Sequence, residues 1–451
     1  MLLKYLILGC TASAILAAAP AKVFPYSYSQ QDLPNGLRLV VVPNDSSNIV
    51  ATYIIVQTGS RNEVEPGHTG FAHLFEHLMF KGTEAWPEAR YTDALQRMGA
   101  ISNAYTTDDY TCFYTVLSRE DLPAVLTMEA DRFQHLKFSE ADFKTETLAV
   151  LGEYNKDASS PYSRLEETAG TTAFVRSPYQ HPTMGFLKDV EDMPNQYAYS
   201  LKFFDRYYRP EYTTILVVGN VKPRDVRELV DKSWGQWKRG VFVPEIPQEP
   251  PQEGPRVARV DWPSPTLPIV EVAYKAPAYT DSAKDTAALE ALAYLAFSPT
   301  SDLYQNLVVT GRTAASLSAD APQEHDPSLF EIVARVNHAG DTDAVRDQIY
   351  AAVRSFQDKP VSAARLDAVK AHLRNALSLR MQSSDAIASV LARYIALRRT
   401  PETLNLLYQQ LATLTPKDIQ HAATQYFTEN HRTTVTLRQA ATQTAAAGVA
   451  Q

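Results

Sequence analysis

The chain has 451 residues, of which 45% are hydrophobic and 21% charged, and a formal net charge of −8. That balance excludes a disordered chain and allows two or three folded domains. Mild acidity with no long basic run argues against nucleic acid as a partner.

Residues 1–21 read as an export signal. Lys4 supplies the positive start, Tyr5 to Ala18 is apolar or small, and Ala19-Pro20-Ala21 offers a small-x-small cleavage site before Lys22. The expected location is the periplasm. A lipoprotein attached through Cys10, in Leu8-Gly9-Cys10, is the alternative. The apolar run is too short and too polar for a good membrane span, and no other stretch could cross a membrane. Cys10 and Cys112 are the only cysteines, so loss of the signal leaves no intrachain disulfide. Cys112, within Tyr110-Thr111-Cys112-Phe113-Tyr114, reads as a half-buried strand residue, not a catalytic thiol.

Leu37 to Val42 and Val50 to Val56 are β-branched strands. A helical stretch between Gly70 and Gly82 follows, carrying His73-Leu74-Phe75-Glu76-His77. Histidines four apart on a helix share one face, about one turn apart. Two imidazoles so placed suit a tetrahedral zinc ion that keeps a position for water. Glu76 lies beside them and can take a proton from a water that the metal has made acidic. A solvated polar face is the bland alternative. It leaves unexplained why these groups interrupt so apolar a run.

The proline-rich stretch 243–262 divides the mature chain into 22–242 and 263–440, and 441–451 reads as a flexible tail. The two halves look alike. Pro268 to Tyr274 is a strand before a helix over Thr286 to Ala296, repeating the order of the first half. Tyr207 to Ile215 and Tyr426 to Val435 close the halves in similar strands, after segments opened by Pro194 and Pro416. The fold class expected is α+β, as two duplicated domains.

These motifs resemble the M16 peptidases, the pitrilysin, insulin-degrading and mitochondrial processing peptidase group. Gly59-Ser60-Arg61-Asn62-Glu63, Thr69 to His73 and Lys81-Gly82-Thr83 surround the motif as in that family, and Pro178-Tyr179, His181-Pro182 and Gly185 resemble one of its loops. The resemblance implies mixed, mostly antiparallel sheets flanked by helices, and one Zn2+ per chain. It implies Glu153, 76 positions after His77, as third ligand. It implies Glu146, seven residues earlier on the same helical face, as a carboxylate that orients a ligand or the site water. Asn103, Ala104 and Tyr105 resemble the strand that pairs with an extended peptide. A plain edge strand guarded by Asp108 and Asp109 is the alternative there.

The family's oxyanion-holding Arg and Tyr are missing. Val308 and Ala315 occupy their places, and Asp302 stands where an Arg is usual. The resemblance therefore implies the zinc-carrying subunit of a heterodimer whose homologous partner supplies Arg and Tyr, with a homodimer as the alternative. The activity implied is a metalloendopeptidase for short or unfolded peptides enclosed in a chamber. A non-catalytic scaffold of the same fold is the competing function.

Overall fold

A computed structural model describes residues 22–440. The expected export signal and flexible tail lie outside them. Two sheets organise the chain. The first contains β1 (Ser29–Asp32), β2 (Arg38–Pro43), β3 (Ile49–Val56), β4 (Ile101–Thr106), β5 (Thr111–Ser118) and β6 (Thr213–Gly219). Its order is β1-β2-β6-β3-β5-β4. The second contains β7 (Arg256–Trp262), β8 (Ile269–Lys275), β9 (Ala314–Asp320), β10 (Leu329–Val336) and β11 (Arg432–Gln439), in the order β7-β11-β8-β10-β9.

The duplication is explicit in the strand directions. β2 runs parallel to β6, and then β3, β5 and β4 follow antiparallel. β7 runs parallel to β11, and then β8, β10 and β9 follow antiparallel. The fold is thus the expected pair of α+β units. Cys112 lies in β5 as expected but is fully buried, not half-buried, because β5 is covered by β3 and β4 at its sides and packed on both faces; burial pushes its thiol pKa up, so it stays protonated.

The helices that place the site are α1 (Phe71–Leu78), α2 (Glu140–Asp157), α3 (Pro161–Ala173) and α4 (Tyr197–Tyr207) in the first half. In the second half, α5 (Asp285–Phe297) follows β8 as α1 follows β3, and α6 (Ser384–Arg398) precedes the last helices. Each half lends a helix to the other. Leu165 and Ala169 of α3 pack on Val260, Ile269, Val435 and Leu437 of the second sheet. Ile387, Leu391 and Ile395 of α6 join Ala51, Tyr53, Ile55, Leu216 and Val218 on the back of the first sheet. Tyr53 donates to Asp385 at 2.9 Å, and Gln57 donates to the Ala396 carbonyl at 2.7 Å. The opposite face of the first sheet, including Ile54, Val56, Phe113 and Ile215, receives α1 through Phe71, Phe75 and Leu78.

The proline-rich stretch differs in part from the sequence reading. Its last seven residues, Arg256–Trp262, are β7, paired with β11. The rest has neither helix nor strand, yet it is not simply solvated. Glu249 accepts from the backbone N–H groups of Arg176 (2.9 Å) and Ser177 (3.1 Å) and pairs with Lys275 at 2.7 Å. Among the described residues, no helix is long and apolar enough to cross a membrane.

Candidate metal centre

α1 is short because glycines bound it. Gly70 starts it in the left-handed region at φ 91°, and Gly82 ends the following turn at φ 85°. At Gly70 a side chain is also excluded by space: a Cβ there would lie 2.6 Å from the Met184 carbonyl oxygen. Gly185 meets the same junction from the other side, its own Cβ position 2.7 Å from the Gly70 nitrogen. The loop that the sequence singled out at Pro178 to Gly185 thus braces the start of the motif helix.

The unpaired N–H groups of that first turn are held by Glu63, which accepts from Gly70 at 2.7 Å and from Ala72 at 2.6 Å. An anion at a helix N-terminus is favoured by the peptide dipoles. Burial opposes it and pushes the Glu63 carboxyl up to about 8. His181 lies beside it, its Nε2 3.9 Å from Glu63. His181 is therefore part of this bracing and lies apart from the histidine pair of α1. The role of Glu63 was not legible in the sequence. It caps a helix that begins eight residues later, and only the chain's path through space reveals it.

Phe71, Leu74, Phe75 and Leu78 form the core face of α1, with Phe75 stacked on Phe203 of α4 at 5.3 Å. The remaining face carries His73, Glu76 and His77, with the two imidazole rings 5.0 Å apart. α2 lies against it, opened by Ser139 and Asp142, each of which accepts from the other's backbone N–H. Phe143, Thr147, Val150 and Tyr154 bury the inner face of α2. Glu146 and Glu153 flank that face, two turns apart.

The structure brings the expected metal residues together. Nε2 of His73 lies 3.8 Å from Glu153 Oε2, and Nε2 of His77 lies 3.4 Å from the same oxygen. Among the described residues, His73, His77 and Glu153 form the one group of His, Cys, Asp or Glu donors lying within 4.8 Å of one another. Bonds of about 2.0–2.1 Å to a tetrahedral zinc separate its ligands by roughly 3.4 Å, so the spacing fits the ion. The chemical state of His73 fits as well. Burial, then the neighbouring His77, lowers its pKa to about 4, so the ring is neutral at ordinary pH, as a metal ligand must be.

Glu146 Oε2 lies 3.6 Å from His77 Nδ1, the ring nitrogen turned away from Glu153. Its other oxygen pairs with Lys81 at 2.8 Å. A carboxylate behind a ligand histidine fixes the ring's tautomer and direction. Glu76 stands apart from these pairings and is held instead by Thr106, whose hydroxyl donates to its Oε2 at 2.9 Å. Burial raises the Glu76 pKa, and the Thr106 hydrogen bond pulls it back.

Thr106 is the last residue of β4, which among the described residues pairs only with β5 and forms the edge of the first sheet. Asn103, Ala104 and Tyr105 therefore lie on a strand leading to Glu76. Asp108 and Asp109 do not guard this edge. Asp108 accepts from Ser60 at 2.8 Å, and buried Asp109 accepts from Tyr179 at 2.6 Å and from the His325 N–H at 2.7 Å.

In the second half, Val308 sits in a turn of wide helix, Gln305–Thr310, half-buried against the core, and Ala315 is exposed on β9. Neither side chain can donate a hydrogen bond. Asp302 is paired with Arg365 at 3.2 Å.

Comparisons with known proteins agree with this architecture. The profile described as "Insulinase (Peptidase family M16)" matches residues 39–186, and that described as "Peptidase M16 inactive domain" matches residues 197–373. The zinc protease PqqE of Helicobacter pylori is 29% identical over 438 residues, covering 95% of this chain and 97% of that protein. A crystal structure of a protease from Helicobacter pylori superposes with a TM-score of 0.85 at 29% identity, over 92% of this chain and 100% of that one. The fold is shared further with an M16-like peptidase structure from Alicyclobacillus acidocaldarius, at a TM-score of 0.82 and 17% identity, over 92% of this chain and 99% of that one. The two profile matches together span most of the chain, and on this ground it belongs to peptidase family M16.

Proposed function

We propose that this chain is a zinc-dependent endopeptidase for short or unfolded peptides, and that it is the zinc-carrying subunit of a heterodimer. The observation that carries the reading is the convergence of His73, His77 and Glu153 on one small space, with Glu76 beside it on the same helical face. His73, His77 and Glu153 would hold one zinc ion. Zinc, when bound, supplies a Lewis acid that makes water acidic near neutral pH and polarises a carbonyl. Glu146 keeps the His77 ring directed at the site. Glu76, steadied by Thr106, takes a proton from the attacking water and returns it to the departing amine nitrogen. An extended substrate pairs with β4, so its backbone supplies most of the affinity and its sequence little.

Val308 and Ala315 support the heterodimer. They leave this chain without side-chain donors for the substrate carbonyl at the places where the family has Arg and Tyr. A homologous subunit facing the zinc site would supply them and close a chamber around the peptide. The export signal read in residues 1–21 supports a periplasmic location. The same two positions are also the observation that favours a non-catalytic scaffold.

The test is zinc content and hydrolysis of a fluorogenic peptide by the purified chain, alone and with a homologous subunit carrying Arg and Tyr. Near-stoichiometric zinc and activity only in the pair support the reading. Full activity of the chain alone sinks the heterodimer, and absence of zinc after its addition sinks the peptidase.

A further inference from the structure

The two halves meet at turns that the duplication makes equivalent. β4 corresponds to β9 and β5 to β10, so the turn from Thr107 to Tyr110 has its counterpart in residues 321–328. The second turn is longer, and it reaches the first. Asp109, only 7% exposed, accepts from the Tyr179 hydroxyl at 2.6 Å through one carboxylate oxygen and from the His325 N–H at 2.7 Å through the other. The Tyr179 oxygen in turn accepts from the Asp326 N–H at 3.3 Å, and Arg61 pairs with the Asp326 carboxylate at 2.5 Å. His325 Nε2 donates at 3.2 Å to the Ala396 carbonyl of α6, the same carbonyl that takes Gln57.

Both oxygens of a buried carboxylate are thereby held from outside its own hairpin. Burying a carboxylate is costly unless its oxygens are satisfied, and here the donors come from two other segments, one in each half. The start of the same turn is gripped as well. The Ser60 and Arg61 N–H groups donate to the Thr107 and Asp108 carbonyls at 3.4 Å and 2.8 Å. A Cβ at Gly59 would overlap both carbonyl oxygens, so the two backbones approach this closely only because glycine stands there.

What the turn carries gives the contact its meaning. It begins one residue after Thr106, whose hydroxyl holds Glu76. Among the described residues β4 has a neighbour on one side only, so its end would fray if the turn were loose. A threonine hydroxyl directs a carboxylate only as well as its own backbone is fixed. The route from the second half to Glu76 is therefore short: the His325 N–H, Asp109, the turn, and Thr106.

We propose that Asp109 is a positioning residue for the peptidase reaction: held by Tyr179 and by the second half at His325, it fixes the turn that sets Thr106, and through Thr106 the direction of Glu76. The inference rests on the peptidase reading above. It gives the second half, which brings no donors at Val308 and Ala315, a part in aligning the group that moves the proton.

The first measurement needs no turnover. Hydrogen exchange, read by mass spectrometry on the zinc-loaded full chain, reports how readily residues 101–111 open. Asp109→Asn removes one of the two acceptor oxygens, and Tyr179→Phe removes the hydroxyl that Asp109 and the Asp326 N–H share. Each should lower protection of that segment about tenfold, the scale of a hydrogen bond to a charged group, while zinc content and protection of α1 stay unchanged. The second measurement is a double-substitution cycle on kcat with the partner subunit present. Asp109→Asn and Thr106→Val should each lower kcat about tenfold, and the doubly substituted chain should be no slower than Thr106→Val alone, because both act through one contact. A merely structural role for Asp109 would multiply the two losses. Unchanged protection in both single variants, or losses that multiply, would overturn the proposal. If Asp109→Asn does not fold, Tyr179→Phe and its own cycle with Thr106→Val decide the matter. Unsubstituted subunits that hydrolyse no peptide fail the peptidase reading instead, and exchange in the turn then decides alone whether Asp109 fixes Thr106.

Discussion

Thr106 Oγ1 donates to Glu76 Oε2 at 2.9 Å, tying the last residue of an edge strand to a carboxylate on the motif helix. The strand proposed to hold the peptide and the group proposed to move the proton are thereby fixed to each other. Thr106→Val keeps the shape and removes the donor. Hydrogen bonds to charged groups contribute roughly 1.5–3 kcal/mol, so kcat should fall by about tenfold or more while zinc stays bound. Glu76→Gln should remove turnover and also leave the metal. Steady-state kinetics beside metal analysis checks both, and unchanged kcat in Thr106→Val would refute the coupling.

Glu146 stands between the ring of His77, at 3.6 Å, and the ammonium of Lys81, at 2.8 Å. Glu146→Gln should weaken zinc affinity by about 10–100-fold, as loss of such orienting carboxylates does. Competition against a chelator of known affinity measures this. Affinity equal to that of the unsubstituted chain would reject the orienting role.

Burial, with the fields of Glu166, Asp320 and Asp108, pushes the Glu331 carboxyl up to about 7. In the unfolded chain it titrates near 4.5. Between these values the unfolded state releases the proton and the folded state keeps it, so stability falls as pH rises through that window and levels off above it. Glu331→Gln removes the dependence. It should raise Tm at pH 8, with a gain on the order of 1 kcal/mol from relief of the like charge of Asp320, which sits opposite on β9, and change little near pH 4.5. Thermal unfolding at the two pH values checks the sign. Greater destabilisation of the substituted chain at pH 8 than at pH 4.5 would contradict it.

The candidate metal centre was legible because helical periodicity is local. His73, Glu76 and His77 share a face by spacing alone, and so do Glu146 and Glu153. That the two helices meet at one oxygen of Glu153 came only from family resemblance and then from the structure. β7 was hidden because Arg256–Trp262 lies between Pro255 and Pro263 and alternates polar and apolar residues weakly, so it read as the end of the linker. The carboxylates around Glu331 were hidden for another reason. Glu271, Asp320 and Glu331 lie in three separate strands, and only the pairing register makes them neighbours. The helix exchange is equally non-local. Leu165 and Leu391 look like ordinary helix core residues until their partners are known to lie in the opposite sheet.

That exchange predicts how the molecule unfolds. α3 buries its apolar face in the second sheet, and α6 buries Ile387, Leu391 and Ile395 against the first. Neither half can keep its core covered without a helix from the other. The halves should therefore melt in one transition, although each carries its own sheet. Leu391→Ala opens a cavity in the shared core and should cost about 2–5 kcal/mol. The loss should reach zinc binding, because β3, on which α6 rests, is paired with β5, and β5 and β4 carry α1 on the opposite face of the sheet. Calorimetry with and without zinc tests this. Two separable transitions, or a Leu391→Ala chain whose metal site keeps its original thermal stability, would show that the halves fold independently. The isolated segment 22–242 should in turn expose Ala51, Tyr53, Ile55, Leu216 and Val218 as one apolar face, and an exposed face of that kind drives association.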